Sequence, residues 1–143
     1  MNSSFQPDFE DSAKRHWSDA KLLIENNRLP NADQVFGLSA ECALKYIMLK
    51  NGLVLEDGKP KEKKFRKHID ELWDHFRDFI ENRNGVFFMS FTGIGSNPFH
   101  DWDIGQRYHN SQYIRLESVK NHEKAVDNII DLLYQTDMDG RVR

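Results

Sequence analysis

Apolar positions recur along most of this chain at intervals of three and four residues, the period of an amphipathic helix rather than the alternation of a strand. The first such stretch is "DFEDSAKRHWSDAKLLIENN", where Ala13, Trp17, Ala20 and Ile24 fall on one face and Lys14, Arg15, Asp19, Lys21 and Glu25 on the other. Asp8 or Asp11 is placed to cap it, and Asn26, Asn27 and Pro30 end it. A second helix follows from Pro30 to Gly52, with Val35, Phe36, Ser39, Ala40, Ala43, Leu44 and Ile47 forming a broad stripe. Gly37, Ser39, Ala40 and Ala43 on that helix are small enough to let a neighbour approach closely, so it is expected to be the central one. The segment "LVLEDGKPKEKKFRKH" reads as a linker. "HIDELWDHFRDFIENR" is the cleanest helix, with Ile69, Leu72, Trp73, Phe76, Phe79 and Ile80 on one stripe, and Asn84-Gly85 stops it.

Residues 85–106 carry many aromatics among Gly93, Gly95, Pro98 and Gly105, and predict an ordered irregular segment in which "VFFMSF" has the composition of a short strand. The last helix is expected from about Asn110 to Gln135, with Leu116, Val119, His122, Val126, Ile129, Ile130 and Leu133 inward and the acidic tail beyond it frayed. Long amphipathic helices with short connections predict an all-α fold: an up-and-down four- or five-helix bundle, one domain over residues 1–143, with an aromatic and Gly-rich loop before the last helix.

Length and composition agree with that expectation and narrow the function little. The chain has 143 residues, enough for one core and too few for two comfortable ones. A formal charge of -3 supplies no global attraction to nucleic acid or to a membrane surface, so a polyanion site has to be a local patch. The single cysteine, Cys42, excludes an intrachain disulfide and a thiol-based zinc cluster. With no signal peptide and no apolar run of about 18 residues, a cytoplasmic location without membrane contact is expected.

The polar residues that depart from helical patterning define the candidate chemistry. In "GQRYHNSQYIRLESVKNH", Arg107 is a phosphate fork beside Tyr108 as a stacking surface, with His109 and His100 available for hydrogen bonding or proton transfer. The structural alternative pairs Arg107 with Glu41 of the second helix and packs Tyr108 under the aromatic loop. Glu41 with Lys45 is also a simple i to i+4 ion pair. Lys63, Lys64 and Arg66 lie in a basic run that can hold phosphates or remain a solvated loop. His100, Asp101, Asp103 and His109 are all metal-ligand types, but without the paired spacing of zinc sites, so no metal and no cofactor is expected. Cys42 with His68 or His75 lacks an activating environment in the sequence and reads as a small core residue.

Four segments in order resemble the HEPN (higher eukaryotes and prokaryotes nucleotide-binding) domains. "RHWSDAKLLIENNRLPNADQVFGLSAECALKYIML" is similar to their opening helix pair, "KHIDELW" to their third helix, and "DWDIGQRYHNSQYI" to the segment before their last helix. The resemblance implies a helical bundle that homodimerises, in a family of metal-independent ribonucleases, toxin and defence effectors, nucleotidyltransferase partners and non-catalytic binding domains. Its nucleases carry Arg and His separated by four to six residues. Arg107 and His109 do not fit that spacing, whereas Arg115 and His122 enclose six residues. On a helix these two share a face roughly 10 Å apart, so direct contact would need a two-fold dimer. The resemblance then implies His122 as general acid or base and Arg115 on the scissile phosphate. The plain alternative is a core histidine satisfied by hydrogen bonding. The expectation is a domain that binds nucleotide or RNA phosphate, with ribonuclease activity and a nucleotidyltransferase-partner role as alternatives.

Overall fold

The computed structural model describes residues 6–92 and 95–142, and these form five α-helices and one two-stranded hairpin. Helix α1 (Phe9–Glu25) starts where the Asp8 carboxylate accepts the Asp11 amide at 2.9 Å, so of the two candidates Asp8 is the cap. Asn27, with φ 59°, turns the chain into α2 (Leu29–Lys50), which has Pro30 in its first turn. This helix is buried from Ala32 to Met48 on nearly all sides and packs on α1, α3 and α5, which makes it the central element. Its small residues do what their size suggests. Ser39 donates to the Ala13 carbonyl at 2.7 Å, and Gly37 lies flat against the ring of Trp102.

The stretch expected as a linker contains a hairpin. Strands β1 (Leu55–Glu56) and β2 (Lys59–Pro60) pair antiparallel, and Asp57 and Gly58 between them both have positive φ, 55° and 76°. An Asp-Gly pair adopts that mirror-image turn readily. A 3₁₀ turn, Lys63–Phe65, then leads into α3 (Ile69–Glu81), whose six predicted stripe residues are all buried.

The expectation of an irregular segment or strand after Gly85 is corrected: Gly85–Thr92 is helix α4. Asn84 accounts for the difference. It closes α3 through its amide to Ile80, and its side chain accepts the Phe87 amide at 3.1 Å, capping the next helix. Phe87 and Phe91, four apart, then meet α3, with Phe91 4.6 Å from Trp73 and 4.9 Å from Phe76 between ring centres. The last helix, α5, runs Leu116–Val142 rather than from Asn110. Asn110 caps a 3₁₀ turn, Ser111–Tyr113, and Leu116 is exposed instead of inward. At the other end the helix continues past Gln135, where Tyr46 donates to Asp137 and Thr136 to the Leu132 carbonyl. No helix among the described residues is long and apolar enough to cross a membrane.

Candidate functional site

Asp33 and His122 are both on the buried faces of their helices, and a carboxylate or imidazole there must be matched by partners. They are matched to each other. His122 Nδ1 lies 2.6 Å from Asp33 Oδ1, and His122 Nε2 lies 2.7 Å from Asp101 Oδ1. Asp33 is further held by Gln106, which donates from Nε2 to Oδ2 at 2.5 Å, while Trp102 donates to the Asp33 carbonyl at 2.9 Å. Phe99 covers the imidazole face, 5.3 Å away and within 19° of parallel. Two helices and the loop before α5 are therefore tied at one point.

A neutral imidazole donates only one hydrogen bond, so two carboxylates at these distances require the doubly protonated ring. Burial alone would lower the His122 pKa. The hydrogen bonds and charges of Asp33 and Asp101 more than reverse that and leave it raised. For Asp101, burial pushes upward, but the His122 bond and charge, with help from Ser118, hold its carboxyl below the ordinary range. The unit is a buried cation between two anions, with one end, Asp101, 39% exposed.

That exposed end opens on a groove of about 340 Å³ at the start of α5. Its lining brings together Asp101 and Asp103, His109, Tyr113 and Arg115, and the buried Gln106. Asp103 is fixed by capping the 3₁₀ turn Ile104–Tyr108: it accepts the Gly105 amide at 2.9 Å, and its own amide meets Gln106 Oε1 at 3.2 Å. Gln34 secures the same loop from α2 by donating to the Asp103 carbonyl at 2.9 Å. Arg115 is exposed, immediately precedes α5, and its guanidinium makes no hydrogen bond or ion pair among the described residues.

The residues singled out in the sequence separate into groups. Arg115 and His109 enter the groove; His122 lies behind it, reaching it through Asp33 and Asp101. Arg107 and Tyr108 are exposed on the same 3₁₀ turn, the guanidinium 4.7 Å over the Tyr108 ring. The expected Glu41–Arg107 pair is replaced. Glu41 accepts from Lys45 at 3.0 Å and meets His68 Nδ1 at 3.0 Å, and Arg107 donates to the Ile104 carbonyl. Lys63, Lys64 and Arg66 belong to the hairpin region. Arg66 clamps the Pro60 and Lys61 carbonyls, and Lys64 faces Glu62 at 3.5 Å. Cys42 is half-buried with its thiol pushed up to about 11, first by burial and then by Glu41, which makes it a poor nucleophile. Among the described residues, no three His, Cys, Asp or Glu side chains converge to hold a metal ion.

No local motif in the sequence marks Asp33 or Gln106 as a site residue, and the sequence offers Asp101 only as a metal-ligand type. The available signal was Asp33 itself, a carboxylate on the face of α2 that also carries Phe36, Gly37 and Ala40. No family model matches the chain, and no match is found among curated proteins or solved structures.

Proposed function

We propose that this chain is a binding domain for a nucleotide or an RNA phosphate, taken up in the groove at the start of α5. The observation that carries the reading is the groove's mixed polarity: an unpaired guanidinium, Arg115, lines it together with His109, Tyr113 and the fixed carboxylates of Asp101 and Asp103. A phosphate suits the Arg115 side, a base can stack on Tyr113, and ribose hydroxyls or an exocyclic amine can donate to the carboxylates. The resemblance to HEPN domains points the same way, and Arg107 over Tyr108 puts a further exposed cation and ring on the Ile104–Tyr108 turn, whose Gln106 lines the groove.

The ribonuclease alternative asks His122 to exchange a proton with substrate. Both of its nitrogens are engaged by carboxylates and the side chain is 1% exposed, so the geometry favours binding over that chemistry. Titrating the protein with adenosine and uridine 5′-monophosphates tests the reading. A ligand present about a hundredfold above its Kd should raise the Tm by roughly 5 °C or more, and Arg115→Ala should abolish the rise while melting like the wild type. No shift with either nucleotide would sink it.

A further inference from the structure

A second groove, also of about 340 Å³, adjoins the first, and Asp101 lines both. Its α5 wall presents Asn121, Lys124 and Asn128, three and four residues apart and hence on one helical face. All three side chains are exposed, and none has a hydrogen-bond or ion-pair partner among the described residues. The loop before α5 contributes Ser96 and His100 to the same lining. The loop's shape is fixed from within: Asn97 donates to the Asp70 carbonyl at 2.8 Å and accepts the Phe99 amide at 2.8 Å. A volume near the lower end of the usual ~300–1,000 Å³ for small-ligand pockets gives each groove room for one nucleotide rather than two.

We propose that this second groove holds the neighbouring nucleotide of a polynucleotide strand, so that the ligand is at least two nucleotides long and crosses Asp101 at the junction. The inference rests on the nucleotide reading of the first groove. What carries it is the repeat of one pattern. Each groove has one unpaired cation, Arg115 in the first and Lys124 in the second, as a strand has one phosphate per unit. Between them stands one acceptor, Asp101, whose Oδ1 is occupied by His122. Its carboxyl, which also takes a Ser118 hydrogen bond, keeps further lone pairs that suit the ribose hydroxyl at the junction. Asn121 and Asn128 each offer a donor and an acceptor, the complement of a base edge.

The test compares uridine 5′-monophosphate with a six-residue oligouridylate at one ionic strength, by calorimetry and by fluorescence anisotropy. The hexamer should bind wild type at least about tenfold more tightly than the monophosphate. Combining Lys124→Ala with Asn128→Ala should remove that gain and leave monophosphate binding unchanged. Lys120→Ala takes the same charge from α5 at a residue that pairs with Glu123, and should have little effect. If the monophosphate binds but the hexamer gains nothing, or the double variant binds it normally, or Lys120→Ala loses as much, the second subsite is overturned while the first groove's reading stands. Failure of both probes to bind wild type overturns that reading, and this inference with it.

Discussion

His122 is a single side chain whose replacement exposes two unlike partners to different consequences. Asp33 is buried, so without the imidazolium its carboxylate keeps only Gln106 and its charge is left uncompensated in a poorly solvated site. Asp101 is 39% exposed and water can replace what it loses. His122→Ala is therefore expected to cost about 3–5 kcal/mol, whereas Asp101→Ala, discounted for solvent access, should cost about 1 kcal/mol or less. Urea titrations of both variants check the ordering, and equal losses would mean that Asp33 is not the partner that matters. His122 was legible in the sequence as an inward position between Val119 and Val126, and a satisfied core histidine is one of the two alternatives the sequence allowed. Its partners were not legible. Asp33 is 89 residues away and Asp101 comes from a loop with no periodic signature, so their convergence is a product of packing that no local pattern encodes.

At the scale of elements, the loop before α5 is held by what it meets on α2, and the contact with the least room is Gly37 against Trp102. A Cβ on Gly37 would lie 2.1 Å from the indole, which is itself fully buried and fixed by its N–H bond to the Asp33 carbonyl. The ring has nowhere to swing without breaking that bond. Gly37→Ala is thus expected to destabilise by about 1–3 kcal/mol despite the higher helix propensity of alanine, and to loosen Asp33 at the same time. A thermal melt reads the first effect, and weakened nucleotide binding the second; an alanine that stabilises would show that Trp102 is not seated as described. The small residues of α2 announced a close neighbour, and the stripe on α3 announced its buried face, because both signals are periodic within one element. Helix α4 and the start of α5 differ from the sequence expectation for the opposite reason. The aromatic, β-branched run at 86–91 matches either structure, and what decides is Asn84 capping a helix whose Phe87 and Phe91 find the α3 aromatics. Asn110 has a cap residue's identity, yet it caps a 3₁₀ turn, and five more residues pass before the long helix begins at Leu116.

For the molecule as a whole, the link between α2, α5 and the groove loop makes stability depend on pH in a direction that can be worked out. The His122 pKa is raised from 6.5 on folding, so its contribution is fully present below about 6.5 and is lost as pH rises through the higher folded value. The Asp101 pKa is lowered from 3.8, so its contribution is present above about 3.8 and is lost as pH falls through the lower folded value. The two overlap between about 3.8 and 6.5, where imidazolium and carboxylate are both charged in the folded and unfolded chain alike and the link is at full strength. His16 acts oppositely, since burial lowers its pKa and makes the folded chain resist protonation there. Subtracting a variant isolates the link from this and every other titration. The difference in unfolding free energy between wild type and His122→Gln should be greatest from about pH 4 to 6.5 and shrink as the solution becomes alkaline. Gln is chosen because it still donates one hydrogen bond without titrating. A difference that stays level through pH 9 would mean that the His122 pKa is not raised on folding, and a difference that grows with pH would overturn the imidazolium assignment. Because Asp101 lines both grooves, the same titration should be visible in binding: above the folded His122 value the carboxylate loses its charged donor, and nucleotide affinity should fall in wild type but not in His122→Gln.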